Sequence, residues 1–95
     1  MIGMREGPDL RRIALDVSED SETRIGAIAV LGRSASRESA AALLEVGARN
    51  TERREILRAA GSALAALAHS GVGVSEFDLR DIQEVAYDAF CDWRA

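Results

Sequence analysis

Lysine is absent from this chain: all twelve basic residues are arginine. That bias suggests a GC-rich, bacterial coding sequence and says nothing about mechanism. The single cysteine, Cys91, excludes an internal disulfide. With His69 it makes up the whole supply of soft metal ligands, and the two fall on different predicted helices without ligand spacing, so no metal and no cofactor is expected. Aromatics are scarce, and Phe77, Tyr87, Phe90 and Trp93 all lie in the last twenty residues. No apolar run reaches the length of a membrane span, and no basic region precedes a short apolar one, so the expected location is the cytoplasm. No segment alternates apolar and polar residues over a strand length. "GVGVSEF" is too short and lacks the lysine of a phosphate loop, so it reads as a turn.

What is present is a 95-residue, alanine-rich chain, 47% hydrophobic. It has room for one modest core and for no large enclosed pocket. Net charge is −4, and its distribution is uneven. Residues 1–75 hold ten acids and ten arginines, whereas residues 76–95 hold six acids and two arginines. The whole net charge therefore sits in the C-terminal segment. This balance offers no electrostatic footprint for nucleic acid. A basic protein partner suits it better.

Five helical segments can be read. The first spans about 8–17, with Pro8 in its first turn and Leu10, Ile13, Ala14 and Val17 on one face. The second spans about 22–32, capped by Ser21 and ended by Gly32. The third runs from the Ser36 cap to about Ala48. The fourth covers about 52–69, with Asn50 and Thr51 offering capping oxygens and Gly71 beyond its end. Ser75 with Asp78 resembles a capping box that opens a fifth helix running to about Trp93. The short linkers imply antiparallel neighbours and an all-α fold.

The chain also repeats. "TRIGAIAVLG" (23–32) aligns on "ILRAAGSALA" (56–65) at an offset of 33 residues, and Leu10, Ile13 and Ala14 align more weakly on Ala40, Leu43 and Leu44. The stretch "DSETRIGAIAVLGRSASRESAAALLEVGARN" resembles a HEAT repeat of the short bacterial type, through Asp20, Arg24, Ala27, Leu31, Gly32, Leu43 and Leu44. The second copy keeps Ile56, Ala59, Ala60, Ala63 and Leu64, but has Leu57 in place of the arginine and Ala65 in place of the glycine. The resemblance covers about residues 9–70 and implies a short right-handed α-solenoid in one domain: a first repeat over 8–33, a second over 36–70, and a capping helix over 75–94. Repeat units of this kind cannot bury their apolar faces alone, so the last helix is expected to seal the stack.

On a single helical wheel Leu79, Ile82, Ala86, Ala89, Phe90 and Trp93 share one arc. Asp81, Glu84, Asp88 and Asp92 form a second arc with Asp78 at its edge, Val85 within it, and Tyr87 and Cys91 beside it. Like charges at this spacing oppose the helix, and Asp92 stands at the unfavourable end of its dipole. The arc is either a solvated face or a docking stripe for a basic partner, with Asp78, Asp81, Glu84, Val85, Tyr87, Asp88 and Asp92 as contact residues and Tyr87 as the aromatic anchor. The solenoid resemblance offers an alternative on the concave face, where Glu22, Arg24, Glu52 and Arg53 would matter more.

Catalysis is not expected. His69 reads as a helix C-terminal cap and Cys91 as a half-buried packing residue without a base. Ser34, Ser36 and Ser39 read as caps and linkers, and the clusters Arg11/Arg12 and Arg53/Arg54 with Arg58 read as partners in surface ion pairs. HEAT-like DNA glycosylases and phycobilin lyases exist, but this chain is acidic, short and without a bilin pocket. The expected function is binding one protein, with an interface of roughly 800 Å² per partner. A small acidic binder of this sort resembles bacterial immunity proteins, antitoxins that neutralise basic nuclease toxins. The runner-up is a homotypic or adaptor module, including a homodimer; a lyase-like or enzyme-accessory role comes third.

Overall fold

The computed structural model describes residues 9–93. Pro8, expected in the first helical turn, and Arg94 lie outside them. Among the described residues the fold is all-α, with six helices: α1 (Leu10–Leu15), α2 (Ser21–Leu31), α3 (Arg37–Ala48), α4 (Arg54–His69), α5 (Glu76–Leu79) and α6 (Glu84–Asp92).

Local chemistry sets most helix ends. Asp9 caps α1 and accepts from the Arg11 N–H. Asp20, one residue before the expected Ser21, caps α2 through the Thr23 N–H; hydrogen bonds from Thr23 hold its carboxyl below the usual range. Ser36 caps α3 as expected. Arg53 occupies the N-cap of α4 without a side-chain bond, so the oxygens expected from Asn50 and Thr51 do not serve there. The close of α4 is a Schellman turn: Gly71 takes φ +99°, its N–H donates to the Ala68 carbonyl, and the Val72 N–H donates to the Leu67 carbonyl.

α2, α4 and α6 lie side by side in one layer, with α1 packed on α2 and α3, and α3 on α4. Arg53 on the α4 cap meets Ser21, and Gly32 meets Ala63, so α2 and α4 run in the same direction. Gly61 meets Ala86 and His69 meets Trp93, so α4 and α6 do too. The approach at Gly61 is close: a β-carbon there would collide with the Ala86 carbonyl oxygen. Alanines and glycines thus let the backbones of this layer come together. Ile28, Leu43, Val46, Ile56, Leu64 and Leu67 fill the core between the layers. Each such side chain contributes about 1.5–3 kcal/mol by leaving water.

The single C-terminal helix expected over 75–94 is two helices. The capping box at Ser75 and Asp78 is present, but α5 ends at Leu79. The cause is tertiary. The Gln83 N–H donates to the Gly47 carbonyl at 2.7 Å, and its side-chain amide donates to the Ala48 carbonyl at 2.9 Å. Both acceptors are terminal carbonyls of α3, which lack partners within their own helix. Closing α3 takes Gln83 out of any helix begun at Ser75, and Ile82 packs beside Gly47 at the break.

Candidate partner-binding surface

The break redistributes the acidic arc. Asp78 precedes the break and Asp81 lies in it, so neither shares a register with α6. Asp78 is engaged in its capping box, where hydrogen bonds from Ser75 hold its carboxyl below the usual range. Asp81 lies exposed in the turn, its carboxylate 3.9 Å from the Arg80 guanidinium. Within α6 the expected residues divide between two sides. Glu84 and Tyr87 line a hollow with Glu76, Leu79, Arg80 and Ile82. Val85, Asp88 and Asp92 line a different cleft, facing Arg54 and Arg58 of α4. The structure therefore brings together Glu84 and Tyr87 on one side and Val85, Asp88 and Asp92 on the other, and no continuous stripe joins all seven.

The side of α6 facing α5 carries a feature that the wheel did not show. Phe77 is 68% exposed and Tyr87 43% exposed. Large aromatics are normally drawn into a core, and Phe77 is left out because α5 contributes Leu79 instead. Arg80 covers part of the ring, its guanidinium 4.3 Å from the ring centre. Such an exposed cation–π contact is worth about 0.5–1 kcal/mol. Glu76, Asp78, Asp81 and Glu84 surround the two rings in sequence. The signal for Phe77 lay in the sequence as an aromatic two residues after a cap, but placing it on the surface required knowing where α5 stops. Tyr87 also contacts the exposed Cys91 one turn on; hydrogen bonding to that thiol pushes the phenol above its usual range, helped by the negative charge of the thiolate form, by burial and by Glu76. Cys91 is thus a surface residue, not the half-buried one expected.

The alternative site residues have other duties. Arg24 is 3% exposed and donates to the Ala14 carbonyl from Nε at 3.1 Å and from a terminal nitrogen at 2.9 Å. It also grips Glu52, whose side chain is 2% exposed, with one bond of 2.9 Å. Arg49 joins them, donating to the Leu15 carbonyl at 2.6 Å and to Glu52 at 3.1 Å. Burial pushes the Glu52 carboxyl up, but the hydrogen bonds and charges of Arg24 and Arg49 outweigh it and hold the group below its usual range. Arg24 and Glu52 are a buried tie across the C-terminus of α1 and are closed to a partner. Glu22 and Arg53 stay exposed, with Arg53 donating to Ser21 at 2.6 Å.

The remaining chemistry is structural in character. His69 ends α4 with its ring 5.5 Å from that of Trp93. Ser34 bonds the Leu31 carbonyl and Ser39, and Ser36 bonds Ser39, so the three hydroxyls knit the α2–α3 turn. Among the described residues no group of acids, histidine and cysteine could hold a metal ion, and no helix is long and apolar enough to cross a membrane. No family model, curated protein or solved structure matches the chain.

Proposed function

We propose that this chain is a non-catalytic protein-binding module, a short stack of HEAT-like helical hairpins that holds one basic protein against its C-terminal third. One observation carries the reading: Tyr87 stands exposed in a hollow with Glu76, Glu84 and Arg80, and Arg80 in turn covers the exposed Phe77 ring, within the segment that holds the whole net charge. Exposed aromatics supply the desolvated centre that dominates binding energy, and a rim that is acidic apart from Arg80 steers encounter and selects the partner. The particular form we favour is an immunity protein, or antitoxin, of bacterial origin acting in the cytoplasm, whose partner is a basic nuclease toxin met with phosphate-like acidic charge. The partner-facing set is then Asp78, Asp81, Glu84 and Tyr87 with Phe77 added, while Val85, Asp88 and Asp92 lie to the other side of α6.

The test is capture from lysate of the native host by the full chain. Wild type runs beside a variant carrying Asp81→Arg, Glu84→Arg and Tyr87→Ala; Asp78 is spared because it caps α5. A single stoichiometric basic partner, lost by the variant and released as salt rises, supports the reading. The same partner held equally by the variant sinks it. A specific observation favours the homotypic alternative: an apolar groove between α2 and α4, lined by Ile25, Ala29, Ala59, Ala63, Ala66 and Trp93. Recovery of only a second copy of the chain, insensitive to salt, would favour that reading.

A further inference from the structure

We infer that the cleft between α4 and α6 binds a small zwitterion of the free amino acid class. The inference is independent of the partner surface, which lies on the other side of α6. The cleft measures about 250 Å³ and is lined by Arg54 and Arg58 from α4 and by Val85, Asp88, Asp92 and Trp93 from the far wall and end. That volume is below the roughly 300–1,000 Å³ of pockets that take drug-sized molecules, which points to a compact ligand.

The two helices run in the same direction, and this orders the charges. Gly61 stands abreast of Ala86. Arg54 and Arg58 precede that level on α4, and Asp88 and Asp92 follow it on α6. At about 1.5 Å of rise per residue, Arg58 and Asp88 are roughly 8 Å apart along the axes. The cleft is therefore positive at one end and negative at the other. Among the described residues the ion pairs are those of Arg11, Arg24, Arg49 and Arg80, and none joins either arginine of the cleft to either aspartate. The four groups face a shared space without neutralising one another.

A ligand with one charge would satisfy one end and be repelled by the other. A zwitterion satisfies both. Its carboxylate meets the paired guanidinium groups, whose planar forks suit that anion. Its ammonium meets Asp88 and Asp92 beside the Trp93 indole, a ring that attracts cations. Val85 and Ala89 supply an apolar wall for the carbon skeleton between them. Arg54 also stands in the first turn of α4, where the helix dipole favours an anion.

The experiment is thermal unfolding of the full chain with millimolar free amino acids: the common α-amino acids together with β-alanine, γ-aminobutyrate and ε-aminohexanoate. Each is paired with its N-acetyl and its carboxamide derivative, which remove one charge apiece. The expected result is a raised midpoint with at least one zwitterion and none with its two derivatives. Calorimetric titration of that ligand should then weaken at least about tenfold in both Arg58→Ala and Asp92→Asn, because each removes a charge-assisted contact. Both side chains are exposed, and unchanged far-UV circular dichroism will verify that the variants fold. No rise with any zwitterion overturns the inference. Equal stabilisation by the free and N-acetyl forms overturns it too, since the site would then be one for anions alone. Binding that survives both substitutions removes it from this cleft.

Discussion

The C-termini of α1 and α3 face the same physical requirement, since each leaves carbonyls without partners in its own helix, and they meet it by different chemistry. At α1 the acceptors are Ala14 and Leu15, and the donors are Arg24 and Arg49, held against the Glu52 carboxylate. At α3 the acceptors are Gly47 and Ala48, and the donor is neutral Gln83. The charged tie joins α1, α2 and the linker before α4. It holds its parts firmly, but it costs desolvation and exposes its order to pH. The neutral tie carries no charge cost, and its consequence is geometric: it interrupts the C-terminal segment and so creates α5, the exposed Phe77 and the two-sided α6.

The comparison breaks most sharply at Glu52. Glu52→Ala leaves Arg24 buried without its counter-ion, and the expected loss is about 3–5 kcal/mol in urea unfolding. An acid titration sharpens the same point. The carboxyl of folded Glu52 is lowered from its ordinary value of 4.5, so its contribution is complete above that value and is lost as pH falls through the folded value. The acid limb of stability should therefore flatten in Glu52→Gln once its lower baseline is subtracted, although Asp16, Asp20 and Asp78, also lowered, keep part of it. Gln83→Ala removes only a neutral side-chain bond and keeps the backbone bond to Gly47. About 1 kcal/mol should be lost, with no change in the shape of the acid limb. The smallest effect belongs to Gly47→Ala. The new β-carbon would sit 3.4 Å from Ile82 Cγ2, an ordinary contact, and the helical alanine is favoured. Stability in urea should stay level or rise by about half a kcal/mol; a clear loss would mean that the α3 end is as tightly fitted as that of α1.

The two ties also mark how far the sequence could be read. Signals acting over three or four residues were legible: the Ser36 cap, the Ser75–Asp78 capping box, the Gly71 turn and the apolar faces of α2, α3 and α4 are where residue chemistry puts them. Interactions over long separations were not. Arg24 and Glu52 stand 28 positions apart, and Gln83 and Ala48 stand 35 apart. Nothing in their local surroundings announces a partner. The break at residues 80–83 contains neither glycine nor proline, so periodicity runs through it and places Asp78 to Trp93 on one wheel. Of the candidate surface, Glu84 and Tyr87 were therefore legible as neighbours, whereas Phe77 was not, because its exposure is decided by a carbonyl on α3.

The position of Trp93 has an optical consequence. The indole lies beside His69, at the point where α6 finishes against α4, and every other aromatic ring of the chain lies at residues 77–90. Intrinsic emission therefore watches a single seam, while helical dichroism is spread over all the helices and the α1–α2–α3 half emits nothing. Following both signals through one denaturant series would time the release of the last helix against the melting of the rest. Coincident curves would make the chain a single cooperative unit; an earlier loss of emission would give it the end-first fraying of a one-dimensional stack.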